Sequence, residues 1–305
     1  MQKFIGCLIV INLLIVPQLI SQQRVTIEVE ILNYAKEFGG RVGVAAKDIA
    51  TGSTVMIDAD SLFPTASVIK LPVLVELFYQ FHENRLDPNK PIMLLDSVKK
   101  PGSGILQFLM GDQTLKLIDI ATLMIILSDN TATNYVIDQL GRNHEEKLEA
   151  VNNRMRSLGL LNTKLLNKLY SFSTKKKTYE AQRFGIGVST PNDMVLLLEK
   201  LFRGEIIDKA ASDKMIGILR NQQDIQMAAR LLPFSEDSTL WIGNKTGSLD
   251  DRKIDVGVVS SVRSTYVYAI FCDNSQDPGE QIDNKATVAV SKISRLLYDH
   301  FLGRR

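Results

Sequence analysis

The chain has 305 residues, of which 45% are hydrophobic, and 36 Lys and Arg residues nearly balance 34 Asp and Glu residues for a formal net charge of +2. This size and composition allow a substantial core, which argues against disorder, and the near-neutral charge argues against a nucleic-acid partner. Three histidines and two cysteines, with no HExxH or CxxC pattern, leave little material for a metal site, so we expect no metal and no cofactor.

The N-terminus has the pattern of a secretory signal peptide. Met1-Gln2-Lys3 precedes the apolar run Phe4–Val16, and Pro17 and polar residues follow it. Thirteen residues in a helix span roughly 20 Å, short of the ~30 Å hydrocarbon core of a bilayer. We therefore expect residues 1–21 to be a signal peptide and the mature protein to be secreted or periplasmic, with no stable membrane span after processing. An uncleaved anchor is the alternative.

After this leader, helix and strand patterns follow one another without a linker that would divide residues 22–305. Helical spacing over Arg24–Phe38 ends at Gly39-Gly40, and two alternating segments follow, Arg41–Ile49 and Ser53–Ala59. Helical patterns then dominate, over Val68–Phe81, Leu117–Leu127, Thr131–Leu140, Glu145–Leu158, Asn192–Phe202 and Ser212–Leu219. Strand patterns return at Lys253–Val262 and Tyr266–Cys272, and an amphipathic helix, Lys285–Phe301, closes the chain.

This order predicts an α/β (α+β) fold. One antiparallel sheet is built from both chain ends and flanked by helices, and a mostly helical lobe, about residues 61–220, is inserted between them. A cleft between two such lobes is a usual place for a site. Nothing in these patterns requires an oligomer, so we expect a monomer.

A serine activated by a lysine is the chemistry that the sequence supports best. Ser67 opens the long apolar helical pattern, and Lys70 lies three residues later, so both side chains share one helix face about 5–6 Å apart. Backbone N–H groups at a helix start also suit the oxyanion of an attacked carbonyl. Taken alone, the pair is better explained by Ser67 as a helix cap and Lys70 as a solvated lysine.

Two further short patterns lie far from the first in the chain. Ser128-Asp129-Asn130 separates two helical patterns, and its residues are also good N-caps. Lys245-Thr246-Gly247 lies on or beside a strand, where a three-residue match alone carries little information. Each pattern is weak evidence alone, and the three indicate a function only when they are taken together.

Ser-x-x-Lys, Ser-Asp-Asn and Lys-Thr-Gly in this order form the motif set of class A β-lactamases and penicillin-binding proteins. The sequence resembles class A β-lactamases, within the broader group of β-lactamase-like serine hydrolases. The resemblance covers about residues 24–301 and is supported by Pro101–Leu106 and Ser189–Met194. It implies a small-molecule β-lactam or a cell-wall peptide as substrate.

The resemblance assigns the acylation chemistry to three side chains. Ser67 would be the nucleophile, Lys70 would take or relay its proton, and Ser128 would pass a proton to the leaving nitrogen. A second ammonium group nearby, that of Lys245, would favour a neutral Lys70 by charge repulsion.

The remaining motif residues are implied to bind the substrate. Asn130 would orient its amide while Asp129 faces away and holds the loop. Lys245 and Thr246 would bind its carboxylate. The oxyanion would lie between the N–H groups of Ser67 and Ser248, and Gly247 would allow the strand to approach closely.

One departure from the family pattern concerns the release of the acyl group. Class A enzymes carry Glu-x-x-Leu-Asn, whose glutamate activates water, and the local match here is Thr163-Lys164-Leu165-Leu166-Asn167. Threonine cannot act as a general base near neutral pH. A shift of one residue would place Asn162 there, and Glu180 could fold back as a substitute.

The sequence therefore predicts a class A-type serine hydrolase that β-lactams acylate at Ser67, with slow deacylation. One alternative is a D-Ala-D-Ala peptidase of the penicillin-binding-protein type. The other is a β-lactam sensor or binding module without turnover. The complete Ser-Asp-Asn favours the lactamase, whereas the missing glutamate favours the alternatives.

Overall fold

The computed structural model describes residues 27–171 and 176–303; the expected signal peptide, residues 1–21, lies outside them. The strands are β1 (Arg41–Asp48), β2 (Thr54–Ile57), β3 (Phe63–Pro64), β4 (Pro91–Leu94), β5 (Gln113–Lys116), β6 (Lys164–Leu165), β7 (Gly187–Ser189), β8 (Trp241–Leu249), β9 (Arg252–Ser260) and β10 (Thr265–Asp273). The helices are α1 (27–38), α2 (Lys70–His82), α3 (Leu117–Ile126), α4 (Asn130–Gln139), α5 (His144–Ser157), α6 (Tyr179–Phe184), α7 (Pro191–Arg203), α8 (Lys209–Arg220) and α9 (Lys285–Phe301).

The main sheet is antiparallel and has five strands in the order β2-β1-β10-β9-β8. Strands from the two chain ends therefore lie side by side, because β1 pairs with β10. This confirms the predicted mixed fold with an antiparallel sheet built from both ends. Strand β8 forms one edge of the sheet, so one row of its backbone groups has no neighbouring strand to bond.

Both faces of the main sheet are covered. Along β10, Tyr268, Ile270 and Cys272 belong to one core with α1 and α9, whereas Val267 and Phe271 belong to the core of the helical part. Alternate residues of a strand point to opposite faces, so both sets must be apolar. This two-sided burial explains why these strands contain nearly continuous apolar runs.

Helix α2 is the central helix of the helical part and carries the first motif. Its apolar side chains are buried nearly all round, and its Glu76 is also buried, with Arg154 of α5 donating to it at 2.8 Å. Pro72, which interrupts the apolar pattern, falls in the first turn of α2, where proline is tolerated. The position of the helix start is therefore fixed by packing on several sides.

Candidate active site

Ser67 lies in a short 3₁₀ turn, Ala66–Ile69, that leads directly into α2. It is half-buried and forms part of the wall of a cleft. Ala66 just before it has a φ of +43°, a left-handed conformation that costs a non-glycine residue about 1–3 kcal/mol and recurs at functional sites. The backbone strain therefore lies immediately next to the predicted nucleophile.

Lys70 is completely buried and points at the Ser-Asp-Asn segment. Its Nζ donates to the backbone oxygen of Ser128 at 2.6 Å, to Ser128 Oγ at 3.0 Å and to Asn130 Oδ1 at 3.0 Å. Burial, and then the charge of Lys245, lower the pKa of Lys70 well below its usual range, although Asp129 acts in the opposite direction. This amine therefore loses its proton at a lower pH than a solvated lysine and can then accept one.

The Ser-Asp-Asn loop is held by its middle residue. Asp129 is buried and caps α4, because its carboxylate accepts from the N–H of Ala132 at 2.9 Å and from the N–H of Leu106 at 2.9 Å. Ser128 adopts a φ of +52° beside it. Asp129 thus ties the motif to the segment before α3 and does not line the cleft.

Asn130 links the same loop to the cleft wall. Its Nδ2 donates to the backbone oxygen of Pro101 at 2.9 Å while its Oδ1 accepts from Lys70. Its backbone N–H donates to the backbone oxygen of Ser103 at 3.0 Å. The side chain therefore has a fixed orientation at the cleft surface.

The third motif lies on the edge strand β8, directly against the turn that carries Ser67. A Cβ added at Gly247 would lie 2.9 Å from the oxygen of Thr65 and 3.2 Å from the nitrogen of Ser67. Contacts this short with backbone atoms cannot be relieved by a side-chain rotation, so the close approach requires glycine. The structure thereby brings the first and third motifs together.

Lys245 is the second fully buried ammonium group of the site. Its Nζ donates to the backbone oxygen of Thr246 at 2.7 Å. Burial lowers the pKa of Lys245 to about 8, against the opposing influence of Asp224 and Asp255. Its charge is one of the causes of the lowered pKa of Lys70.

A cleft of about 760 Å³ and a recess of about 320 Å³ share Ser67, Ser103 and Ser248 in their walls. The cleft also includes Asn130 and the recess also includes Ser128 and Thr246. Another cavity, of about 670 Å³ between α2, α3 and α8, contains none of the motif residues. The motifs therefore converge on one continuous concave surface.

The expected position of Thr163 in the site is wrong. Thr163 is buried away from the cleft, where its Oγ1 donates to Asp193 Oδ2 at 2.8 Å and lies 2.8 Å from Ser189 Oγ. The shifted register fails too, because Asn162 is exposed and lines neither the cleft nor the recess, and its N–H donates to the same carboxylate at 2.9 Å. Glu180 lies on α6, where Lys164 donates to it at 2.8 Å, and it does not line the cleft.

Leu169 is the residue of this segment that lines the cleft, and the sequence patterns did not indicate it. Both backbone groups of Leu169 are held by the side chain of Asn134: the N–H donates to Oδ1 at 3.0 Å and the oxygen accepts from Nδ2 at 2.7 Å. Tyr170 follows with a φ of +48° and lines the cleft beside it. The residue that could have pointed to Leu169 from the sequence is Asn134, whose side-chain amide is buried one helical turn after Asn130.

Two comparisons with known sequences agree on one family. The model of the family described as "Beta-lactamase enzyme family" matches residues 26–301. β-Lactamase AER-1 of Aeromonas hydrophila is 26% identical over 209 residues, which cover 68% of this chain and 64% of AER-1. The chain thus spans less than two thirds of the length of this curated relative.

Solved structures share the fold over nearly their whole length. A β-lactamase from Sphaerobacter thermophilus superposes with a TM-score of 0.78 at 28% identity, over 90% of this chain and 96% of that one. PBP-A superposes with a TM-score of 0.76 at 24% identity, over 90% and 96% of the two chains. The likeness to PBP-A shows the fold alone.

Within residues 27–171 and 176–303, every helix is too short or too polar to cross a bilayer. In the same part of the chain, His, Cys, Asp and Glu side chains form no group of three or more that could hold a metal ion.

Proposed function

The chain belongs to the β-lactamase enzyme family, and on that premise we propose that it is a serine hydrolase that β-lactams acylate at Ser67. The lactam carbonyl lies against Ser67, where the N–H groups of Ser67 and Ser248 stabilise the oxyanion. Asn130 orients the substrate amide, and Lys245 with Thr246 binds the substrate carboxylate.

Acylation proceeds by three proton transfers. Neutral Lys70 takes the hydroxyl proton as Ser67 Oγ forms a bond to the lactam carbon. The lactam C–N bond then breaks, Ser128 gives its proton to the leaving nitrogen, and Lys70 returns its proton to Ser128. Lys70 ends neutral, and the opened lactam remains as an ester on Ser67.

The observation that carries this proposal is the environment of the Lys70 amine. It is fully buried, it lies 3.0 Å from Ser128 Oγ, and its pKa is lowered by burial and by Lys245. A structural lysine would instead pair with a carboxylate or reach solvent. A buried amine beside a hydroxyl, in the wall of a cleft, fits a proton relay.

Hydrolysis of the ester is slow in this proposal. Leu169 lines the cleft, and residues 163–169 contain no Asp or Glu; the acids that line the cleft, Asp250, Asp251 and Glu280, come from other segments. Loss of a general base typically slows such a step by about 10²–10⁴. The acyl-enzyme should therefore accumulate.

A chromogenic cephalosporin tests the acylation step. We expect a rapid burst of colour of one equivalent per chain, followed by a much slower steady phase, and a lactam adduct that peptide mapping places on Ser67. A folded sample that gives neither colour nor adduct would contradict the proposal.

A second candidate is a peptidase that acts on a D-Ala-D-Ala peptide of the cell wall. The apolar Leu169 favours it, because such an enzyme is not required to hydrolyse a β-lactam ester. Release of D-alanine from an acyl-D-Ala-D-Ala peptide, at a rate well above lactam turnover, would support this candidate over the first.

We also propose that the protein is exported, on the pattern of residues 1–21. N-terminal sequencing of material recovered from the cell envelope or medium tests this, and an N-terminus at Met1 would favour the uncleaved anchor.

A further inference from the structure

A third buried lysine lies at the cleft, outside the three motifs. Lys253 is the partner of Ser248 in the β8–β9 pairing and is only 2% exposed. Its Nζ donates to Ser248 Oγ at 2.8 Å and to the backbone oxygen of Leu249 at 2.9 Å. Removing an ammonium group from most of its water is costly unless the group has strong partners.

The contact fixes the direction of the Ser248 hydroxyl. An ammonium group has three donors and no lone pair, so Ser248 Oγ must accept this hydrogen bond. The single hydroxyl hydrogen of Ser248 then points away from Lys253. Because Ser248 lies in the walls of both the cleft and the recess, this hydrogen is available to a bound substrate.

Carboxylates near Lys253 oppose the binding of an anion, although the cleft wall also includes Arg252, which pairs with Asp273 at 2.7 Å. Asp250, Asp251 and Glu280 line the cleft, and Asp224 lines the recess. All four interact with the Lys253 ammonium group at longer range. Nearby carboxylates weaken the attraction of the site for a negative substrate, so a directed donor would add to the binding that Lys245 and Thr246 provide.

We propose that Lys253 is a positioning residue that fixes the Ser248 hydroxyl as a donor to an anionic group, a carboxylate, of the acylating substrate. Hydrogen bonds to a charged acceptor are shorter and stronger than neutral ones, and the ammonium behind Ser248 polarises the hydroxyl further. This inference rests on the proposed function, since it concerns the substrate that acylates Ser67.

The test compares benzylpenicillin with its methyl ester, in which the carboxylate is neutral. The second-order rate constant for adduct formation on Ser67 is measured by intact mass for both compounds, and their ratio is the readout. Lys253→Met removes the donor behind Ser248, and Ser248→Ala removes the hydroxyl while the backbone N–H remains. In both variants we expect the acid-to-ester ratio to fall by about tenfold or more, the size of one charge-assisted hydrogen bond.

Lys253→Arg is the matched control, because arginine retains donors at this position, and its ratio should stay within about threefold of the wild type. Thermal unfolding of each variant verifies that it is folded, and Ser248→Ala tests the inference even if Lys253→Met does not fold. Equal losses for acid and ester would overturn the inference, since a purely structural role affects both. Absence of a wild-type adduct with either compound would overturn the proposed function, and this inference with it.

Discussion

Two walls of the cleft carry different chemistry. The wall built from the start of α2, the Ser-Asp-Asn loop and β8 contains Ser67 and two buried ammonium groups: Lys70, which donates to Ser128, and Lys245, which donates to the backbone oxygen of Thr246. The wall around Leu169 and Tyr170 presents an aliphatic and an aromatic side chain. In the proposed function the first wall supplies the groups for acylation, whereas Leu169 and Tyr170 of the second wall carry no carboxylate that could activate water. We therefore expect acylation and hydrolysis to depend on separate parts of the fold.

The largest effect is expected from Ser67→Ala, which removes the nucleophile from the first wall. Adduct formation with benzylpenicillin should fall below detection by intact mass. Thermal stability should stay close to the wild type, because the side chain of Ser67 does not cap the helix. Ser97→Ala is the control, since Ser97 and Lys100 repeat the Ser-x-x-Lys spacing on an exposed segment; a loss of adduct in this variant would contradict the assignment.

Leu169→Glu places a carboxylate on the second wall. Because Asn134 holds the backbone of residue 169, the new side chain should face the cleft and activate water, and the adduct should decay about 10²–10⁴ times faster. The decay is followed by intact mass after excess lactam is removed. Leu169→Gln has nearly the same shape and no base, so equal decay in the two variants would show that the carboxylate does not act there.

Thr163→Glu tests the alternative position for the missing base. The structure predicts no acceleration of adduct decay, because Thr163 is buried beside Asp193. A second carboxylate in that cluster should lower the free energy of unfolding by about 1–3 kcal/mol. Denaturant unfolding measures this loss. Faster adduct decay in a fully stable variant would show that residue 163 does lie in the active site.

The smallest effect concerns the pH dependence of acylation. Lys245→Met removes a charge that lowers the pKa of Lys70, so the pKa of Lys70 should rise. Lys70 must be unprotonated to take the proton, and the rising limb of acylation rate against pH should therefore move to higher pH. Lys209→Met, on an exposed part of α8, should leave the limb in place; an unmoved limb in Lys245→Met would exclude this coupling.

The motif residues could be predicted because their chemistry restricts the residue type. Ser67, Lys70 and Ser128 must carry a hydroxyl or an amine, and Gly247 must lack a Cβ, so a one-dimensional pattern retains them. The sheet was predictable for a similar reason, since two-sided burial demands apolar residues along β9 and β10.

The second wall could not be predicted, because its chemistry leaves no pattern. Leu169 is an ordinary apolar residue, and its place in the cleft depends on a hydrogen-bonded pair with Asn134, 35 positions earlier. Leu166-Asn167 matches the family spacing but places the base at position 163, six residues before the cleft residue Leu169. Strands β6 and β7, which set the path of this segment, have two and three residues, too few for periodicity to show.

The contact between Lys253 and Ser248 could not be predicted either, for a different reason. A lysine in a strand pattern normally extends to solvent, and only the pairing of β8 with β9 places its ammonium group against Ser248. Such a contact depends on register, which the sequence pattern of one strand does not determine.

The lifetime of the wild-type acyl-enzyme tests the central claim most directly. The protein is acylated with benzylpenicillin, excess lactam is removed, and the fraction of chain carrying the adduct is followed by intact mass. The account predicts one adduct per chain, on Ser67, that persists far longer than the time needed to form it. Rapid hydrolysis of many equivalents with no accumulated adduct would contradict it. Fast hydrolysis requires a general base in the cleft, and Leu169 cannot act as one.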